Sequence, residues 1–195
     1  MSKLMKNSKS KIVYAFCIFA VFSITFIVAM NSGTALGMEP SPLDQMNGSG
    51  TESNPYEITD LDELQAMEED LSANYILRSD IDARQTEDWN KGLGFDPIGP
   101  NTSSPFRGTF DGNNHVITGL SITRVSEENV GLFGVISKGS VRSLHLHDVD
   151  IRGDVASAGL VGFLKNGNVN TSTITGKVYG SDSVGGAAGA LYGGQ

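Results

Sequence analysis

The feature that most constrains this chain is a glycine-flanked apolar motif that recurs at an almost constant interval. Val130–Gly134 (VGLFG) returns as Ala158–Gly162 (AGLVG) and again as Gly185–Gly189 (GGAAG). The interval is about 28 residues each time, which is typical of repeat architectures in which each unit packs only against its neighbours. The motif glycines are predicted to occupy equivalent places in successive repeats: Gly131, Gly134, Gly159, Gly162, Gly186 and Gly189.

A second apolar pattern runs in phase with this motif. Aligned at offsets of about 24 and then 28 positions, it predicts a further strand in each repeat. A third element follows at Val149–Ile151 and at Val178. From this alignment we expect Leu120, Leu144 and Ile174 to stack as one inward column. The matched sets are Ile117, Leu120 and Ile122, then Val141, Leu144 and Leu146, then Val169, Ser172 and Ile174.

Three short strands in each period of about 24–28 residues indicate an all-β parallel β-helix. Of the 24 glycines, 20 fall in residues 92–195, and glycine costs about 1 kcal/mol at each helix-interior position, which argues against a helical bundle. A β-sandwich would show longer strands without a fixed period. A leucine-rich repeat would need an asparagine at a fixed place, which the repeats lack.

Residues 1–37 are interpreted as an export signal. Four lysines (Lys3, Lys6, Lys9 and Lys11) precede an apolar run over residues 12–30, and small residues follow at 32–37. This order is typical of a cleaved signal peptide, although the run is also long enough to serve as an uncleaved membrane anchor. In either case the remainder is expected outside the cell, secreted or on the cell surface.

Three further regions follow in the predicted domain organisation. Residues 38–54 are polar and rich in Gly, Ser and Pro, and predict a flexible linker. Residues 55–94 predict an N-terminal cap, with a helix over about 61–71 that starts at the capping box of Asp60 and Glu63, and a strand over about 75–82. Residues 95–195 are predicted to form the coils of the β-helix, and the set of coils is expected to be incomplete at the C-terminal end.

The repeated motifs resemble the GLUG motif of large secreted microbial surface proteins. The segments that precede such repeats are matched in order by residues 50–58, 75–82, 95–99 and 106–112. The resemblance covers about residues 48–195. It implies a right-handed parallel β-helix displayed outside the cell, often in adhesin-like or protease-associated proteins.

Catalytic or metal-binding side chains are expected on the outward positions of the predicted strands. A glycosidase needs two carboxyl groups about 5–9.5 Å apart. Asp148 and Asp150 lie in one coil, and no carboxylate column continues them. His145 and His147 point outward on one strand and are predicted to be exposed rather than metal-ligating. The oxygen-rich segment Asp111–Asn114 favours a turn over a calcium site, so no catalytic, cofactor-binding or metal-binding residue is predicted.

The net charge of the chain limits which classes of partner are expected to bind it. The net formal charge is −8, and −12 without the four N-terminal lysines, so nucleic acid is not expected to bind. Residues 39–96 carry a net charge of −12, whereas residues 97–195 are neutral. We expect an extracellular glycan or a surface protein as partner, and membrane contact only through residues 12–30. Three sequons are candidate glycosylation sites: Asn47, Asn101 and Asn170.

These observations predict an exported, non-enzymatic repeat protein that acts in adhesion or in contact with extracellular matrix. Two alternatives stay open. In the first, the chain is the N-terminal part of a carbohydrate-active or protease-associated enzyme whose catalytic region lies beyond Gln195. In the second, it is a truncated fragment without function.

Overall fold

Short parallel strands stack into successive coils in the computed structural model, which describes residues 41–193. The predicted all-β parallel β-helix is therefore confirmed. The strands, in chain order, are β1 (Tyr56–Ile58), β2 (Asn74–Leu77), β3 (Ile81–Asp82), β4 (Thr109–Asp111), β5 (Val116–Thr118), β6 (Ser121–Thr123), β7 (Phe133–Ser137), β8 (Ser140–Arg142), β9 (His145–Arg152), β10 (Val155–Ala158), β11 (Val161–Lys165), β12 (Asn168–Asn170), β13 (Thr173–Tyr179), β14 (Asp182–Gly185) and β15 (Ala188–Tyr192).

Strands of equivalent position form three main parallel sheets. Sheet 1 has the order β1-β2-β4-β8-β12, sheet 2 the order β3-β5-β9-β13 with β6 also paired to β9, and sheet 3 the order β7-β11-β15. A short fourth sheet joins β10 to β14. The three predicted strands per coil are thus present, and the coils from β8 onward add a fourth, short strand.

The core is the set of inward side chains that stack from one coil to the next. In sheet 1, Tyr75 pairs with Phe110 and Phe110 with Val141, and these three side chains are buried. Aromatic rings fill the centre, where Phe133 lies 5.0 Å from Phe106 and 5.6 Å from Phe110, measured between ring centroids. Apolar columns of this kind stabilise the stack because each ring or branched side chain removes its neighbour from water.

The motif interval agrees with the observed register of sheet 3. Phe133 pairs with Val161, and Val161 pairs with Ala188. These partners occupy the same place in successive copies of the glycine-flanked motif. The predicted match of Leu146 with Ile174 also holds, in sheet 2 between the last two coils.

The predicted alignment of Ile117 with Val141 is wrong. Ile117 pairs with Leu146 instead, because Val141 lies in sheet 1 beside Phe110. Ile117 comes seven positions after Phe110, whereas Leu146 comes five positions after Val141. The additional two positions lie in the turn around Asn113 and Asn114, both of which have positive φ. Similar apolar spacings on either side of that turn produced the false alignment.

The predicted column of Leu120, Leu144 and Ile174 is therefore wrong as well. The register stacks Ile81, Ile117, Leu146 and Ile174 in one column of sheet 2. Leu144 is buried, but it lies at the corner before β9, under Gly112.

Two short helices lie in the N-terminal part of the described chain. Helix α1 (Pro42–Gln45) falls in the predicted linker, and α2 (Leu61–Ala66) lies in the cap and continues into a 3-10 turn at Met67–Glu69. The α-helix ends before the predicted Leu71, because the tighter turn keeps Met67 buried and Asp70 leaves helical geometry at φ −136°. The carboxylate of Asp60 accepts from the Glu63 amide at 2.9 Å, as a capping box requires. The Glu63 carboxylate reaches the Thr59 amide at 2.6 Å rather than that of Asp60.

Two other local predictions need correction. The strand predicted over 75–82 is two strands, since β2 and β3 belong to different sheets and the Ser79 hydroxyl donates to the Thr59 carbonyl at 2.6 Å at the corner between them. The described part of the predicted linker is packed, because Met46 is buried and the Asn74 amide donates to the Gly50 carbonyl at 2.8 Å.

Pro40–Gln195 forms a compact unit with its own hydrophobic core. None of the helices within residues 41–193 has the length and apolar character that crossing a membrane requires. The predicted signal peptide or anchor over residues 1–37 lies outside the described residues.

Candidate functional site

The outer face of sheet 1 carries a row of neutral polar side chains in register. Asn74 pairs with Thr109, and Thr109 pairs with Ser140. Asn168 extends the row onto the next coil. Adjacent strands in a sheet lie about 4.8 Å apart, so amide and hydroxyl groups recur at that interval along the axis of the coils.

This row lines a groove of about 440 Å³, which we term the ladder groove. One wall comes from the turn before β1, which the Asn74 side-chain amide holds by donating to the Gly50 carbonyl at 3.0 Å. The hydroxyls of Thr109 and Ser140 are 3.4 Å apart, a weak contact that leaves both able to bond a ligand. The groove is lined by Glu52, Pro55, Asn74, Tyr75, Ile76, Thr109, Asp111, Ser140 and Arg142.

The charges beside this row are largely paired within the sheet. Arg142 donates to the Asp111 carboxylate, with Nε at 3.0 Å and a terminal nitrogen at 2.8 Å. On the neighbouring strands, Arg78 donates through Nε to Glu57 at 2.8 Å. Glu52, which is exposed and lines the groove, has no ion-pair partner among residues 41–193. The arrangement is suited to hydrogen bonding rather than to acid–base chemistry.

A second, charged groove lies on the outer face of sheet 2. Two adjoining cavities of about 290 and 380 Å³ share Glu87, Ser121 and Asp150. The segment Arg84–Gly92, which is 3-10 helical except at Trp89, Asn90 and Lys91, forms its wall. The remaining lining residues are Arg84, Asp88, Gly92, Gly119, Thr123, Asp148, Val149, Arg152 and Lys177.

The two aspartates considered for catalysis both line this charged groove. The Arg152 side chain donates to Asp150 and lowers the pKa of that carboxyl below its usual value. Lys177 pairs with Asp150 in register on the next coil. Because Asp150 is held in its ionised form, it is poorly suited to donate a proton at neutral pH.

The two strand histidines alternate with the buried Leu144 and Leu146 and point outward, but His145 is half-buried rather than exposed as predicted. His147 is exposed, and the Nδ1 atom of His145 lies 2.7 Å from the Thr173 hydroxyl of the next coil. Within the described part of the chain, no group of three or more His, Cys, Asp or Glu residues could hold a metal ion. Ser121 of β6 lies beside Asp150, further along β9 than either histidine.

The segment Asp111–Asn114 forms a turn. Asp111 accepts from the Asn113 amide at 2.9 Å, and the Asn113 side chain donates to the Leu77 carbonyl at 3.3 Å. After the turn, His115 Nδ1 lies 3.0 Å from Asp80, which also accepts from the Val116 amide at 3.0 Å. These bonds lower the pKa of Asp80 and tie adjacent coils together.

The motif glycines lie where coils approach closely. A Cβ at Gly162 would lie 2.3 Å from the Asn129 carbonyl carbon, and one at Gly189 would lie 2.6 Å from that of Ala156. At Gly134 the nearest atom would be the Gly99 oxygen, at 2.8 Å, and at Gly131 and Gly159 it would be 2.9 and 2.6 Å away. Gly186 meets nothing within 4 Å, so space does not demand a glycine there.

The three sequon asparagines are exposed. The Asn101 side-chain oxygen accepts from the amides of Ser103 and Ser104, at 2.9 and 3.0 Å. Asn170 lies on β12, within a coil. Glycosylation at Asn47, Asn101 and Asn170 stays a prediction.

A polar cluster that the sequence did not reveal joins the cap to the coils. Arg124 is 10% exposed and binds both Asp96 and Glu127. Gln65 of α2 exchanges two hydrogen bonds with the backbone of Asp96, at 3.1 and 3.0 Å. Trp89 stacks on Phe95 nearby, with ring centroids 6.4 Å apart. Because Gln65 and Arg124 both lie far from Asp96 along the chain, only the fold brings them together.

No family model matches the chain. Halomucin from Haloquadratum walsbyi is 36% identical over 150 residues, which are 74% of this chain and 2% of that protein. A protein of Evansella cellulosilytica, provisionally named a Gly-rich membrane protein, is 39% identical over 124 residues, 62% of this chain and 14% of its own length. This chain therefore spans only a small part of either relative.

Among solved structures, a Bacteroides ovatus protein provisionally named an immunoglobulin A1 protease has a TM-score of 0.48 and 16% identity. The match covers 74% of this chain and 64% of that one.

Proposed function

We propose that this chain is an exported, non-enzymatic module of the cell surface that attaches to an extracellular partner through its outward strand faces. The observation that carries the proposal is the ladder groove, in which Asn74, Thr109 and Ser140 stand in register on an open sheet face. Stacked coils provide a rigid surface on which such groups keep a fixed spacing, and rigid placement reduces the entropy lost on binding.

The relatives support a surface location. One bears the name halomucin and the other is named as a membrane protein. The lysine-flanked apolar run over residues 12–30 supports export of the remainder. Secreted protein is expected to begin near Leu36 or Met38 if the run is cleaved.

Export is tested with the full chain carrying a C-terminal epitope in a bacterial host. We expect the epitope in the medium, or on intact cells where added protease removes it. The matched control is Phe19→Arg combined with Val21→Arg, which interrupts the apolar run and should keep the epitope inside. An epitope of the unaltered chain that stays protected in intact cells would contradict export.

Attachment is tested with the same cells on surfaces coated with extracellular polysaccharide or matrix protein. Cells that display the chain should be retained more strongly than cells that express the interrupted control. Equal retention would contradict the proposal.

The absence of catalysis is a separate part of the proposal. Purified residues 40–195, which contain the whole core, should not cleave pectin, alginate or peptidoglycan. Turnover that Asp148→Asn or Asp150→Asn abolishes would instead place an enzyme in the charged groove.

A further inference from the structure

We infer that the ladder groove binds a neutral polysaccharide chain lying along the axis of the coils. This inference rests on the proposed function and names the chemistry of its partner.

The polar groups of the ladder groove repeat along the axis of the coils. Thr109 and Ser140 offer hydroxyls, and Asn74 offers the part of its side-chain amide that is not bonded to Gly50, at successive strand positions about 4.8 Å apart. A polysaccharide repeats hydroxyl groups along its length, so successive sugar units can meet successive coils. A compact ligand would use only one position of this row. Asn168 on β12 continues the row beyond the groove.

The charged side chains in and near the groove favour a neutral ligand over an anionic one. Arg142 is paired with Asp111 and Arg78 with Glu57, so neither arginine is fully available to an anionic polymer. The lone, exposed carboxylate of Glu52 would repel such a polymer. A neutral chain avoids both penalties and does not require that an ion pair be broken.

The groove cannot bind an extended peptide that pairs as an added strand. Strands β2, β4 and β8 form the floor of the groove, and each already has a neighbour on both sides. No backbone edge is therefore available inside the groove for strand addition. Pro55 and Ile76 provide apolar lining beside the polar row, against which the ring face of a sugar can pack.

The test is affinity electrophoresis of residues 40–195 in native gels that each contain one neutral polysaccharide: hydroxyethyl cellulose, laminarin, dextran or galactomannan. Alginate and polygalacturonate serve as anionic comparators. We expect at least one neutral polymer to retard the protein, with a dissociation constant that changes little between 50 and about 200 mM salt, because no ion pair with the ligand is involved.

The discriminating variant is Thr109→Val combined with Ser140→Ala, which removes two hydroxyls and keeps the packing volume nearly unchanged. We expect it to weaken binding about tenfold, since two neutral hydrogen bonds to the ligand are lost and water replaces them only in part. The matched control is Thr118→Val, at a half-buried threonine on the outer face of sheet 2. It should bind like the unaltered protein.

Three results would overturn the inference. They are no retardation by any neutral polymer, retardation by anionic polymers only, and equal retardation of the ladder variant and the unaltered protein. Failure of this inference is distinguishable from failure of the proposed function. If cells that display the chain with Thr109→Val and Ser140→Ala still attach, the ladder groove is not the binding site, but the proposed surface attachment is retained.

Discussion

At the scale of single residues, two carboxylates make the stability of the fold depend on pH in opposite directions. Glu68 lies beside Asp96 and Glu69 at the edge of the cap, and partial desolvation together with these carboxylates raises its pKa. Asp80 accepts from the Val116 amide and from His115, and these bonds lower its pKa. Ionisation of the first carboxylate therefore costs stability in the folded state, whereas ionisation of the second contributes stability.

Glu68→Gln should therefore stabilise the protein at neutral pH. Because the folded pKa lies above the unfolded one, the cost of Glu68 is absent at low pH and develops as pH rises through the unfolded value. In urea unfolding of residues 40–195, the variant should have the higher midpoint at pH 7, and the difference should vanish near pH 3. Glu128→Gln, at an exposed residue, is the control and should change neither midpoint. A variant less stable than the unaltered protein at pH 7 would contradict this.

Asp80→Asn should show the opposite pH dependence. The folded pKa lies below the unfolded one, so the contribution of Asp80 is present above the unfolded value and is lost as pH falls through the folded value. The unaltered protein should exceed the variant in urea midpoint at pH 6, and this advantage should decline towards pH 2. Because the Asp80 side chain is exposed, the difference in urea midpoint is small. A difference that does not depend on pH would show that the bonds to His115 and Val116 do not depend on the charge of Asp80.

At the scale of elements, the inward column of sheet 2 holds the coils together. Leu146 has Ile117 on one side and Ile174 on the other. Leu146→Ala should remove both contacts and lower the free energy of unfolding by about 2–5 kcal/mol. The control is His147→Ala on the same strand, whose exposed side chain should change stability by no more than about 0.5 kcal/mol. Equal destabilisation by the two variants would mean that the inward and outward faces are assigned wrongly.

Local chemistry is the part of the fold that the sequence predicts best. The Asp60 cap depends on a residue three positions away, and the motif of sheet 3 returns at a nearly constant interval because the turns between its copies have similar lengths. The match of Val141 with Val169 in sheet 1 holds, but the register of β2, β4 and β8 in that sheet could not be predicted in this way. Asn74, Thr109 and Ser140 lie in successive coils, and loops of unequal length separate them. The ladder groove was missed for that reason.

At the scale of the whole molecule, the described residues end in a coil whose strands have a neighbour on one side only. Strands β12, β13, β14 and β15 each stand at the edge of their sheet. Large apolar side chains are exposed there, with Leu191 64% exposed and Val184 46% exposed. Unpaired strand edges with apolar side chains favour association between molecules.

Residues 40–195 should consequently self-associate as concentration rises. Leu191→Lys places a charge above Leu164 on that edge and should shift the sedimentation distribution towards monomer. Val125→Lys is the control, since Val125 is 66% exposed but lies away from the last coil. A Leu191→Lys variant that associates as strongly as the control would assign the association to another surface.

The central claim is that the outward faces of the coils bind and do not cleave. The most direct measurement follows bound protein and newly formed reducing ends in one mixture of residues 40–195 with a polysaccharide that retards them in a gel. The account predicts that binding reaches a plateau while the number of reducing ends stays at its starting value. Reducing ends that increase steadily with time, and that Asp148→Asn suppresses, would contradict it.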